Sequence, residues 1–321
     1  MYKEAIQDAI STHELPSEWS SALLSEAEHV AQKKKTAKYR KDLRKLPFVT
    51  IDGEDAKDFD DAIYCVKNTS GYRLYVAIAD VSFYVEANSK LDKEAKKRGT
   101  SIYFPETVIP MLPENLSNGI CSLRPNEDRC SMICEMSIDL DGTRKKYKFY
   151  SGLINSKARL TYNQVEKHFK KSSTIKQSIV RESIKHLFDL TNLRLKLRNQ
   201  RKALEINPTE AILELNKNKE VNNIVVKRNL FAHKLVEESM LLANESAAEF
   251  MHDRLDLGVY RIHEDPDPSK LETLKKHFKV SAQIAKKSSP LEVINSCLRE
   301  AHEKKDDTGQ ILVLQTLARA E

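Results

Sequence analysis

The sequence is short of glycine (8 in 321 residues), has a single tryptophan and five cysteines, and contains no apolar run approaching 18 residues. The last two of these features each remove a class of protein. Without a long apolar run there is no transmembrane helix to predict. The polar, mixed-charge start "MYKEAIQDAISTHELP" lacks the apolar centre of a secretory signal. The odd cysteine count (Cys65, Cys121, Cys130, Cys134, Cys297), with no paired C-x-x-C and no nearby histidine, gives neither a disulfide framework nor a zinc set. Buried free thiols in a reducing compartment are expected instead. No repeat or low-complexity tract is present. At 40% hydrophobic and 31% charged residues the composition is globular, the length allows one large domain or two ordinary ones, and a soluble cytoplasmic protein is the default expectation.

The net charge of +6 is unevenly placed. In "KKKTAKYRKDLRK", residues 33–45, eight Lys or Arg accompany one Asp, so the chain outside this window is close to neutral. Two readings stay open: a solvated linker, or a contact with a polyanion that begins at Lys33, Lys34 and Lys35.

Residues 1–46 read as one or two weak helices followed by that basic linker, and Pro47 marks the entry to a β-rich region. "FVTID" (48–52), "DAIYCVK" (61–67) and "YRLYVAIADVSFYV" (72–85) have the β-branched and aromatic content of strands, with Ser70-Gly71 as a turn. A helix is expected over 89–98, capped by Gly99. Residues 103–125 hold four prolines and read as a long structured loop. A hairpin follows over 130–154, turning at Asp141-Gly142. The second half reads as helical over 175–201, 229–252, 269–278, 290–303 and 309–320, with a hairpin of 211–215 and 222–227. Strands first and helices later, without strict alternation, predict an α+β fold with mostly antiparallel strands.

The chemistry concentrates in "TIDGEDAKDFDDAIY", residues 50–64, where an acidic run interrupts two strands. Asp52 closes one strand, Asp60 and Asp61 open the next, and Asp58 stands between them. The glycine in "GEDAK" lets the chain loop back, so a bend can aim four carboxylates into one space. Crowded carboxylates repel unless cations neutralise them or protons bind. Hard oxygen donors select Mg²⁺ or Mn²⁺. Two such ions about 4 Å apart are the usual apparatus for in-line attack on a phosphodiester. A solvated acidic loop is the plain alternative, and the EF-hand calcium pattern is not matched.

"LPFVTIDGEDAKDFDDAIY" resembles the signature of the RNB catalytic domain of the ribonuclease II / ribonuclease R family, most of all its ribonuclease R branch. The resemblance continues through "YVAIADVSFYV", "LDKEAKKRGTSIYFPETVIPMLPENLSNGICSL", "YKFYSGLINSKARLTY", "AHKLVEESMLLAN" and "YRIHEDPDP", so it covers roughly residues 46–321. It implies an RNB-type domain over 47–321 that digests single-stranded RNA hydrolytically from its 3′ end and releases nucleoside 5′-monophosphates. DNA and membranes are not expected partners. It implies that Asp52, Asp58, Asp60 and Asp61 hold two Mg²⁺ ions, with Mn²⁺ as a substitute. Tyr103 matches an aromatic residue that stacks on a base, and such stacking tolerates any sequence. Glu237 and Glu238 fall where the family has an acidic contact near the RNA end. Arg261 and His263 are further candidates for RNA contact.

Two departures accompany the resemblance. The sequence contains no block like the family's "HFTSPIRRYPDL", which supplies an arginine for the reacting phosphate. Lys202, in "QRKALEI", stands where the family usually has glycine. The alternative to an active nuclease is therefore an RNA-binding remnant that needs a separate C-terminal segment. A non-enzymatic module whose acidic loop holds a structural ion is a third reading.

Overall fold

The β-branched and aromatic runs of the first half assemble into a single seven-stranded sheet. The computed structural model describes residues 2–33, 38–105, 107–170, 174–201, 203–204, 210–216, 220–227, 229–255, 258–280 and 288–318. The strands are β1 (Lys41–Asp42), β2 (Val49–Asp52), β3 (Asp61–Asn68), β4 (Gly71–Ala79), β7 (Asp128–Ile138), β8 (Arg144–Asn155) and β9 (Ala158–Thr161). Their order is β1-β8-β7-β4-β3-β2-β9. The two edge pairs, β1 with β8 and β2 with β9, are parallel; the pairings between them are antiparallel. An α+β fold, mostly antiparallel in its first half, is what the sequence predicts.

Four local differences have physical causes. The strand expected over 72–85 stops at Ala79, because Asp80 starts a helical turn, α3 (Val81–Tyr84). The Asp80 carboxylate accepts the Ser82 hydroxyl and its carbonyl accepts the Phe83 N–H, which redirects the chain. The proline-rich stretch is not simply loop: β5 (Ile102–Phe104) pairs with β6 (Thr107–Ile109), and a π-helical turn spans Asn115–Ile120. Prolines at 105, 110 and 113 flank these short pieces rather than interrupting them. The basic segment ends inside the sheet, since Leu43 is buried and Lys41 pairs with Gly152. Finally, β9 and the helix after it are too short for periodicity to reveal.

At the β3–β4 turn Gly71 has φ 140°, and a side-chain carbon there would sit 2.1 Å from the Ile138 carbonyl oxygen. Only glycine fits.

The helices are α1 (Tyr2–Thr12), α2 (Ser21–Ala31), α4 (Lys90–Arg98), α5 (Tyr162–Phe169), α6 (Ser178–Gln200) and α7 (Phe231–Arg254), then α8 (Pro268–His277), α9 (Pro290–Lys304) and α10 (Asp307–Thr316). A two-stranded hairpin of β10 (Glu210–Leu215) and β11 (Val221–Lys227) lies between α6 and α7. Gly99 follows α4 as its cap, with its N–H on the Ala95 carbonyl.

The chain divides into two units: residues 1–193 with 209–243, and residues 194–208 with 244–321. The first unit has apolar packing on both faces of the sheet. One cluster joins Ile51, Ile63, Leu74 and Met136 to Ile184 and Leu187 of α6 and Leu235 of α7. The other joins Phe48, Tyr75, Ile133 and Ile154 to Leu23 of α2 and Leu116 of the π-helical turn. The second unit has its own cluster, built on Leu274, Val293, Ile294, Leu298 and Val313. All five cysteines are buried and free. Among the described residues, no helix is long and apolar enough to cross a membrane.

Candidate active site

Strand register gathers the acidic residues. Val49 of β2 lies opposite Ile63 of β3, so the end of one strand adjoins the start of the other. Asp52 ends β2 beside Thr161 of parallel β9, and Asp61 opens β3 opposite Ile78 of β4. Residues 53–60 close the loop between them. Gly53 is not what makes this loop possible: its φ is not left-handed, and a side chain there would meet nothing within 4 Å.

The loop is instead pinned by residues far away in sequence. The Arg159 guanidinium of β9 donates to the carbonyls of Gly53 (2.6 Å) and Glu54 (2.5 Å). Asn163 donates to the Glu54 carboxylate at 3.0 Å. The Ser122 hydroxyl, fully buried, accepts the Phe59 N–H (3.0 Å) and donates to the Lys57 carbonyl (2.8 Å). The Leu123 N–H donates to the Phe59 carbonyl, and the Ala79 N–H to the Asp60 carbonyl. Phe59 is buried, so its neighbours Asp58 and Asp60 are held on the rim.

The electrostatics follow from crowding. Burial pushes the Asp61 carboxyl up to about 7, helped by the charges of Asp52 and Asp60. Burial likewise lifts Asp52 to about 6; Arg159 opposes the rise, while Asp58 and Asp60 add to it. Asp60 is raised by burial and by Asp58, although it keeps more solvent contact than the other three. These groups are short of positive charge, and Arg159 supplies part of it.

Tyr103, on β5, is 65% exposed and its hydroxyl donates to Asp58 Oδ2 at 3.0 Å. The predicted stacking residue and a predicted ligand are thus in direct contact. Tyr162 is a site residue that strand and charge patterns did not reveal. Burial, reinforced by Asp52 and Asp61, pushes its phenol up to about 12, and its ring stacks on His233 at 4.0 Å. Its position is set by a capping box in which Thr161 and Gln164 bond each other's backbones at the start of α5. The T-x-x-Q pattern of "LTYNQ" is the signal that marks this helix start.

The remaining candidates are placed differently. Glu238 is buried on α7, and neighbouring Glu237 pairs with Lys234 at 3.4 Å. Arg261 and His263 belong to the second unit and are exposed; His263 Nδ1 lies 3.3 Å from the Ala318 carbonyl. The Lys33 ammonium donates to the Phe83 carbonyl at 2.7 Å and approaches Glu86 at 3.3 Å. In the same segment Arg40 is buried against Asp80 at 2.6 Å. Lys34, Lys35 and Lys202 lie outside the described residues.

Among the described residues, no three His, Cys, Asp or Glu side chains stand close enough together to hold a metal ion as placed. The donor chemistry nevertheless fits a hard divalent cation. Every donor is a carboxylate, and these carboxylates raise one another's proton affinity.

Comparison with known proteins agrees with this architecture. The profile of the RNB domain family matches residues 40–321. Ribonuclease R of Escherichia coli (strain K12) is 44% identical over 270 residues, which are 82% of this chain and 33% of that protein. Ribonuclease R of Thermotoga maritima is 43% identical over 289 residues, covering 88% of this chain and 41% of the relative. The structure of Mycoplasma genitalium RNase R in complex with ribose-methylated single-stranded RNA superposes with a TM-score of 0.89 at 32% identity. That superposition covers 98% of this chain and 50% of the other. A mixed sheet-and-helix domain carrying an aspartate cluster at two strand ends is the class that fold and site define. The chain belongs to the RNB domain family. It spans about a third of the length of the Escherichia coli relative.

Proposed function

We propose that this chain carries the metal-binding and 3′-end-recognising part of an exoribonuclease that acts on single-stranded RNA and releases nucleoside 5′-monophosphates. The observation that carries the proposal is that Asp52, Asp58, Asp60 and Asp61, within or at the ends of the loop joining β2 to β3, lie near enough to feel one another's charge, with the Tyr103 hydroxyl on Asp58. The four aspartates would hold two Mg²⁺ ions, whose chemistry when bound would be water activation and charge stabilisation for phosphodiester hydrolysis.

The chain's own residues do the remainder. The exposed Tyr103 ring offers a base a stacking face whose free edge is tied to Asp58, so a stacked nucleotide lies next to the carboxylates. Stacking reads any base, which suits processive digestion without sequence preference. Tyr162 stands near enough to Asp52 and Asp61 for their charges to disfavour ionisation of its phenol, so it stays neutral beside them. The relatives whose structures hold single-stranded and double-stranded RNA support an RNA substrate for this chain.

Purified chain with 5′-labelled single-stranded RNA tests the reading. A ladder that shortens from the 3′ end with Mg²⁺ and vanishes with chelator is the expected result. Bound but intact RNA in both conditions would instead favour the RNA-binding remnant, and adding the C-terminal segment of a relative in trans would then separate a half-enzyme from an inactive one.

A further inference from the structure

The acidic loop is clamped by a side chain that is not itself a candidate metal ligand. Parallel pairing of β2 with β9 sets Arg159 beside Thr50, on the strand next to the one Asp52 terminates. Its guanidinium reaches past the strand end to the carbonyls of Gly53 and Glu54, the two residues that follow Asp52. The same group lies 5.6 Å from the Phe59 ring, between Asp58 and Asp60. It also opposes the raised proton affinity of Asp52. One side chain therefore bonds the start of the segment that carries the four aspartates and lies over an aromatic ring near its end. Gly53 needs no left-handed backbone, and the local turn is closed only by a 3.4 Å bond from the Ala56 N–H to the Gly53 carbonyl, so contacts from outside add to what holds the loop's course.

We propose that Arg159 is a positioning residue: by holding the Gly53 and Glu54 carbonyls it limits how far Asp52 and Asp58 can spread, so that a divalent cation has less rearrangement to impose when it draws the carboxylates together. Both carbonyls are served by one guanidinium nitrogen, Nη2, whose direction the planar group fixes, whereas a lysine ammonium sits on a flexible stem. This inference rests on the metal-binding reading of the aspartates. It makes a prediction that simple charge does not. If Arg159 acted only as a positive charge near the site, its removal would tighten cation binding, because a repulsion is lost. If it acts by position, removal weakens cation binding despite that relief.

The test is direct binding of Mn²⁺ to the full chain, read by electron paramagnetic resonance without RNA or turnover. Arg159→Ala should weaken Mn²⁺ affinity about tenfold, the equivalent of 1.4 kcal/mol, and Arg159→Lys should weaken it by less. Unchanged or tighter binding in either variant would overturn the proposal. Should Arg159→Ala fail to fold by circular dichroism, Arg159→Lys and Arg159→Gln carry the same comparison. Asp60→Asn separates the two levels of inference. If the parent chain binds no Mn²⁺, or Asp60→Asn binds it equally well, the site reading itself fails. If the parent binds, Asp60→Asn does not, and the Arg159 variants match the parent, only the positioning role fails.

Discussion

The Tyr103 hydroxyl donates to Asp58 Oδ2 at 3.0 Å while the ring around it stays 65% exposed. One residue thus offers two separable functions, a stacking face and a hydrogen bond to a candidate ligand. Tyr103→Phe keeps the face and removes the bond, whereas Tyr103→Ala removes both. A hydrogen bond to a charged acceptor contributes about 1.5–3 kcal/mol, and base stacking about 1–3 kcal/mol. Tyr103→Phe should raise the Mg²⁺ concentration needed for half-maximal cleavage and leave the shortest product unchanged. Tyr103→Ala should in addition lengthen the end product. A denaturing gel run over a Mg²⁺ series distinguishes them, and identical product ladders in all three proteins would remove Tyr103 from the RNA path.

The raised carboxyls give the site a definite pH response. Asp52 and Asp61 rise to about 6 and about 7 from an ordinary 3.8. An acid whose folded pKa is raised supports folding fully below its unfolded value and loses that support as pH climbs through the folded one. In chelator, the melting temperature should therefore fall between about pH 4 and pH 7 and level off above. Asp61→Asn should flatten this slope. Protons and cations compete for the same oxygens, so Mn²⁺ affinity should rise across the same window. A melting temperature in chelator that does not change with pH would contradict the burial of these carboxyls.

The β-rich first half and most helices of the second could be read from composition and periodicity, because each element is long enough to show its pattern. The strand over 61–67 and the helix over 175–201 recur almost unchanged as β3 and α6. What escaped was short or nonlocal. Four residues of β9 carry no detectable alternation, yet its parallel register sets Arg159 and Tyr162 around the aspartates. The carboxylates themselves stood out, since six acids in ten residues have no structural reason to sit between two strands. Their supports did not. Ser122 and Arg159 are ordinary residues in sequence and become clamps only through contacts more than 60 positions away.

Asp60 offers the cleanest separation of binding from chemistry. It lies on the solvent side of the cluster, and its carbonyl, not its side chain, ties it to the sheet through the Ala79 N–H. Asp60→Asn should thus leave the fold intact by circular dichroism. Loss of one carboxylate should lower cleavage by at least about a hundredfold, the scale reported for removing one preorganised electrostatic contact. RNA affinity, measured by filter binding, should stay near that of the parent chain. Cleavage at the parent rate would exclude Asp60 from the cation site.

Ser122 is the support whose loss should be felt in stability as well as in the site. Its buried hydroxyl is acceptor for the Phe59 N–H and donor to the Lys57 carbonyl, bracketing Asp58 from beneath. Its own carbonyl is held by the buried Arg129 guanidinium at 2.7 Å, so the backbone there has little freedom to compensate. Ser122→Ala strands one buried donor and one acceptor, at a cost of about 1–3 kcal/mol. Urea melts should show the midpoint falling with an unchanged slope, because the loss is local and leaves the surface exposed on unfolding the same. The variant should also need more Mg²⁺ for half-maximal cleavage, since Asp58 loses its footing. Stability lost with no change in Mg²⁺ requirement would mean that the loop's placement is set by Phe59 packing and by Arg159 without help from the serine.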